Sequence, residues 1–193
     1  RENGGCIHCF ANANVLQLRN VTMENNTAVT NGGAMYLYLG CSASIINSTF
    51  ESNNAADGGA IFIEESNVTL NNVMMNSNHA NNSGGALGGV VESAVNAAGV
   101  TFFRNSAQYG GAVAFYTNTT GTIVDVTFTG NEGIFSGGAV FLVSASLEVD
   151  GGEFLNNNAW TGAAFNLRGA RFNLSNSQLV GSFALFSGEI GRA

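Results

Sequence analysis

One short unit, returning about every 26 residues, constrains this chain more than any other feature of its sequence. A Gly-Gly-small tripeptide stands at Gly4-Gly5-Cys6, Gly32-Gly33-Ala34, Gly58-Gly59-Ala60, Gly84-Gly85-Ala86, Gly110-Gly111-Ala112 and Gly137-Gly138-Ala139, with a worn copy at Gly162-Ala163-Ala164. Between these copies falls a second unit, apolar-x-x-Asn. It reads Met23/Asn26, Phe50/Asn53, Met75/Asn78, Phe102/Asn105, Phe128/Asn131 and Phe154/Asn157, then a degenerate Leu179/Ser182. Two residues past each Asn is Ala28, Ala55, Ala80, Ala107, Gly133 or Ala159. Self-similarity at a fixed period of this size marks a stacked-repeat architecture.

Within a repeat the apolar residues alternate with period two, which is the strand signal. Met35/Leu37, Ile61/Ile63 and Val140/Leu142 follow the glycine unit, while Val68/Leu70 and Leu147/Val149 precede the Phe position. The Phe position is assigned to a third short strand. Three strands of three to five residues make one coil, and a coil this small cannot bury its apolar residues alone. Coils therefore stack about 4.8 Å apart and pair as parallel sheets. The expected fold is all-β: a right-handed, single-stranded parallel β-helix of about seven coils. Residues 1–193 are read as a single segment of it, cut from a longer chain, with Arg1 to Phe10 as half a coil and Gly188-Glu189-Ile190 beginning another.

The turn residues follow from the stacking. Paired glycines allow positive φ and tight bends where a Cβ would clash. Asn26, Asn53, Asn78, Asn105, Asn131 and Asn157 are expected in left-handed turn positions, with each amide bonded to the Asn above and below. Such a ladder satisfies buried amides that would otherwise cost about 1–3 kcal/mol each. For Cys6, Cys9 and Cys41, two readings stand. Cys6-Ile-His-Cys9 could be a metal or redox motif, but no second ligand pair exists and His8 is alone. The alternative is core or turn positions, with one Cys bridged to Cys41.

Charge narrows the partners. Only 10% of residues are charged, all six cations are Arg, and the net charge is −7. No basic cluster can neutralise phosphates, which argues against a nucleic-acid surface. No apolar stretch approaches the 18 residues of a membrane-spanning helix, and no direct membrane insertion is expected. No metal or other cofactor is called for.

The motifs Gly58-Gly59-Ala60-Ile61, Gly84-Gly85-Ala86-Leu87, Gly110-Gly111-Ala112-Val113 and Gly137-Gly138-Ala139-Val140 alternate with Phe50-Glu51-Ser52-Asn53, Phe102-Phe103-Arg104-Asn105, Phe128-Thr129-Gly130-Asn131 and Phe154-Leu155-Asn156-Asn157. This pairing resembles the repeats of the polymorphic outer-membrane proteins of chlamydiae, over nearly the whole chain. The resemblance implies a parallel β-helix displayed at a surface, adhesin-like and without enzymatic chemistry. The C-terminal β-barrel translocator of that family is not in this sequence, so an outer-membrane autotransporter is not the expectation for this segment.

Asn outnumbers even the 26 glycines, and seven Asn-x-Ser/Thr sequons occur, at Asn20, Asn25, Asn47, Asn67, Asn81, Asn118 and Asn173. About four would arise by chance at this composition, so the excess favours N-glycosylation of a secreted chain over plain solvent-facing polar residues. The expected localisation is extracellular or cell-surface.

The pectin-lyase-like fold also carries polysaccharide lyases, hydrolases and epimerases, so function must be argued from a site. Those enzymes need clustered carboxylates and a basic residue on the outer face of one sheet. The corresponding columns here offer one carboxylate, Glu64, and its nearest cation, Arg168, is four coils away, about 19 Å at the stacking repeat. They offer aromatics instead: Phe10, Tyr36, Tyr38, Phe62, Tyr116 and Phe141. The outward column of the next strand, from Gln17 through Thr69 and Thr122 to Asn173, has no apolar member. The leading expectation is a structural or adhesive surface element. It would bind a protein or a glycan through this aromatic face, with self-association into a filament or sheath as a further option.

Overall fold

The computed structural model describes residues 2–11 and 15–186 and is a β-solenoid of about seven parallel turns, spaced as the repeat predicts. The Gly188-Glu189-Ile190 segment lies outside the described residues. Three parallel sheets run along the stack. The first follows each glycine unit and comprises Ile7–Phe10, Met35–Tyr38, Ile61–Glu64, Leu87–Val90, Val113–Tyr116, Val140–Val143 and Phe165–Arg168. Its register equates repeat positions: Met35 lies beside Ile61, Ile61 beside Leu87, Leu87 beside Val113 and Val113 beside Val140.

The second sheet departs from the expected pattern of three short strands. It contains ten-residue strands, Ser42–Glu51, Asn67–Asn76, Thr120–Thr129 and Ser146–Leu155, which absorb both the Phe position and the alternating stretch before it. A single left-handed residue bends each one: Asn47 (φ 50°), Asn72 (φ 52°), Asp125 (φ 51°) or Gly151 (φ 71°). That residue also resets the alternation. Ala43 and Ile45 point inward before Asn47, and Ser48 and Phe50 point inward after it. Strict period two cannot keep both halves facing the core; one residue in the left-handed region supplies the missing step.

The third sheet uses residues that the repeat pattern assigns to turns. Its strands are Asn54–Asp57, His79–Ser83, Ser106–Tyr109, Glu132–Ser136, Asn158–Thr161 and Phe183–Phe186, the first five each following a ladder Asn and the last following Ser182. The first five are short, rich in polar residues and carry register shifts, so they give no clean alternation in sequence.

At the corner between second and third sheets the six Asn form one column. Asn53, Asn78, Asn105 and Asn131 each accept two bonds on Oδ1, from the backbone N–H and the Nδ2 of the Asn one coil earlier, at 2.9–3.1 Å. Their Nδ2 donates onward to the next Oδ1 and also back to the carbonyl of Met23, Phe50, Met75 or Phe102. Asn53 through Asn157 are almost wholly buried. One expectation needs correcting: the ladder Asn are not the left-handed residues. Positive φ falls one residue earlier, on Asn25, Ser52, Ser77, Arg104, Gly130 and Asn156. The corner therefore divides the labour between a bending residue and a bonding residue.

The glycine pair divides its labour similarly. Gly58 takes the positive φ (59°), whereas Gly59 does not. A Cβ on Gly59 would stand 2.1 Å from the Gly85 carbonyl oxygen of the next coil, so this position is glycine because the coils touch there. Inside, the rings of Phe102, Phe128 and Phe154 stack with centroids 4.7 and 4.8 Å apart. Cys9 is joined to Cys41, tying the first coil to the second, and Cys6 is free and exposed. No helix of the described residues is long and apolar enough to cross a membrane.

Candidate functional site

The outward column of the first sheet runs Tyr36, Phe62, Gly88, Ala114, Phe141 in consecutive strands. The sequence predicts an open aromatic wall here, and the structure corrects it. Tyr36, Phe62 and Phe141 are only 5%, 6% and 3% exposed. They are covered because the ends of the third-sheet strands return over this face at the glycine corner. Tyr109, for example, lies 5.2 Å from Phe141, and Asp57, Ser83 and Tyr109 share a groove with Phe62. Tyr38 and Tyr116 are half-buried, and Phe10 is 57% exposed at the first coil.

Around Tyr36 the rings cluster. His8 stacks on it at 5.1 Å, Tyr38 at 5.8 Å, and Phe62 lies tilted at 5.8 Å. Its hydroxyl donates to Glu64 Oε2 at 2.5 Å. Burial, and then this carboxylate neighbour, push the Tyr36 phenol above its ordinary range, so it stays a neutral donor. Glu64 is thereby held in a hydrogen bond, and three strands of the first sheet separate its strand from that of Arg168. Arg168 itself stacks over the Phe141 ring at 5.1 Å.

Beyond Phe62 the face opens into a groove of about 450 Å³ lined by Asp57, Asn82, Ser83, Gln108, Tyr109 and Tyr116, with Phe62 and Val90. Gly88 makes room for the Phe62 ring at the groove's edge: a Cβ on Gly88 would stand 2.7 Å from that ring. Ser83 Oγ donates to Asp57 Oδ1, and Asn82 Nδ2 donates to Asp57 Oδ2 at 3.2 Å. The Tyr116 hydroxyl bonds to Ser83, and burial pushes its pKa above the ordinary phenol value, so this phenol is also neutral at physiological pH. The groove thus offers fixed hydrogen-bonding groups beside aromatic rings.

The exposed aromatics that the sequence expectation missed lie on the third sheet. Phe135 is 48% exposed and Trp160 51%, with Ile134 beside them at 52%. Tyr109 touches Phe135 at 5.7 Å, so this platform is continuous with the groove. The sequence holds a signal that could have revealed it: the second residue before the glycine unit, Ala56, Asn82 and Gln108 in earlier coils, becomes Phe135 and then Trp160.

All seven sequon Asn are exposed. No ladder Asn is itself a sequon acceptor, because its second neighbour is Ala or Gly rather than Ser or Thr. Between Asn118 and Asn173 there is no sequon, and this interval contains Phe135 and Trp160. On the second sheet, the outward column Gln17, Ser44, Thr69, Asn96, Thr122, Glu148, Asn173 is wet throughout. Asp150, exposed there, is held below its ordinary carboxylate value by bonds from Asn176 and Ser175. Among the described residues, no three His, Cys, Asp or Glu stand close enough to hold a metal.

Residues 47–64 match the family model of the Chlamydia polymorphic membrane protein repeat. The matched stretch carries Phe50-x-x-Asn53 and Gly58-Gly59-Ala60-Ile61, the two motifs on which the resemblance rests. It runs from the second sheet through the ladder corner and the third sheet into the first. That family is a surface membrane-protein repeat and not an enzyme family. No curated protein and no solved structure matches the chain.

Proposed function

We propose that this chain is a non-enzymatic, N-glycosylated solenoid of a cell-surface or extracellular protein, adhering through an aromatic platform centred on Phe135 and Trp160. The observation that carries this reading is the run of exposed apolar side chains Ile134, Phe135 and Trp160 on adjacent strands. Exposed clusters of this kind mark interaction surfaces. The repeat family supports the surface location, since its members are membrane proteins displayed outside the cell. Tyr36 and Phe62, the anchors expected from sequence, are too buried to serve, and replacing them would test stability instead.

The test is adherence of the 193-residue chain, coupled to beads, to cells or extracellular matrix. Phe135→Ser with Trp160→Ser should abolish adherence without moving the melting temperature by more than a few degrees; retained adherence refutes the platform. Intact mass before and after glycan removal tests the sequons, and an unchanged mass refutes glycosylation.

A further inference from the structure

We propose that the groove lined by Phe62, Tyr109 and Tyr116 binds a neutral oligosaccharide of equatorially linked hexopyranoses, which makes the adhesive reading above that of a lectin-like surface. This deepens that reading and rests on it. Sugar recognition needs two things together: an aromatic ring for the apolar face of a pyranose, and fixed polar groups for its hydroxyls. Both are present here. Tyr109 is half-buried and held between Phe135 and Phe141, so a ring face is presented by a side chain that loses little entropy on binding. Around it stand an amide on Gln108, an amide on Asn82, and the Asp57 carboxylate fixed by Ser83 and Asn82.

Charge selects among sugars. Asp57 lines the groove, Glu64 lies on the same sheet face, and the chain carries −7 overall. A uronate or other anionic glycan would meet the Asp57 carboxylate within the groove, while the one cation that acts on its lining, Arg168 near Tyr116, lies over Phe141 at its edge. A neutral chain meets only acceptors and donors. Repetition selects the shape: Val90 and Tyr116 come from adjacent strands of the first sheet, spaced about 4.8 Å along the solenoid. An extended, equatorially linked chain presents ring after ring at a comparable interval, whereas a coiled α-linked chain turns away.

The probes are cellohexaose and, for contrast, hexagalacturonate, each titrated calorimetrically into the 193-residue chain. Cellohexaose should bind and hexagalacturonate should bind at least tenfold more weakly. Tyr109→Ala should reduce cellohexaose affinity at least tenfold and Gln108→Ala several-fold, with the thermal midpoint of Gln108→Ala unchanged. No cellohexaose binding, equal affinity in both variants, or tighter binding of hexagalacturonate overturns the proposal. The bead assay keeps the two readings separable. Adherence lost in the Phe135/Trp160 variant but no sugar bound overturns the groove and leaves the platform. Sugar bound without any adherence of the parent chain overturns the platform and leaves the groove.

Discussion

Replacing Asn105 by Ala removes one rung from the middle of the ladder, and the structure sets the size of the loss. Asn105 Oδ1 accepts from the Asn78 backbone N–H at 2.9 Å and from Asn78 Nδ2 at 3.0 Å, and its own Nδ2 donates to Met75 O and Asn131 Oδ1. Alanine leaves those two Asn78 donors without their acceptor, at a residue with no exposed surface. At about 1–3 kcal/mol for each orphaned buried group, the expected cost is about 4 kcal/mol. The Asn131 carbonyl is spared, since it still accepts from the Asn105 backbone N–H. In a chain of this length such a loss lowers the melting temperature by about 10 °C. Circular dichroism of thermal unfolding reads it directly. Asn96→Ala, at an exposed position one strand away, is the control and should stay within about 0.5 kcal/mol. An Asn105→Ala midpoint indistinguishable from the control would refute the ladder as a source of stability.

Four further outcomes are expected. Gly85→Ala should prevent folding into a soluble monomer, because its Cβ would sit 2.0 Å from the Gly111 carbonyl oxygen. Gly130, by contrast, has positive φ and nothing nearer its Cβ than Arg104 at 3.7 Å, so Gly130→Ala should cost about 1 kcal/mol and Gly130→Asn less, in denaturant titrations. Removing the Cys9–Cys41 bridge as a double Ala variant opens a loop of 32-residue separation and should cost about 3–4 kcal/mol, seen as faster hydrogen exchange in the first two coils. Tyr36 has a raised folded-state pKa, so its contribution is intact below about 10, the unfolded phenol value, and is lost as pH rises beyond it. The urea midpoint of the parent chain should therefore fall more steeply above pH 10 than that of Tyr36→Phe, and parallel curves would refute that linkage.

Much of the fold is legible residue by residue. Gly-Gly-Ala and Phe-x-x-Asn at one spacing dictate a solenoid, because only stacked identical coils let the same side chain meet its own copy above and below. The Phe102, Phe128, Phe154 column and the Asn ladder are direct consequences. Most of the third sheet was not legible: its strands are four or five residues long, and those before Phe183–Phe186 carry shifts in register and show neither period two nor a hydrophobic run. Nor was the bend at Asn47 and its equivalents, where one left-handed residue joins two alternating stretches that look like separate strands.

The candidate site divides along the same line. The sequence alone determined which residues point away from the core of the first sheet, since alternation is local. It also determined that no ladder Asn is itself a sequon acceptor, since Ala or Gly stands two positions on. Whether an outward residue meets water was decided only by tertiary structure. Tyr36, Phe62 and Phe141 point outward and are buried, because strands from another sheet return over them. Phe135 and Trp160 point outward from the third sheet and stay about half exposed, although Tyr109 packs against the Phe135 ring. Direction is a property of neighbouring residues in the chain, and burial is a property of what else the fold brings alongside.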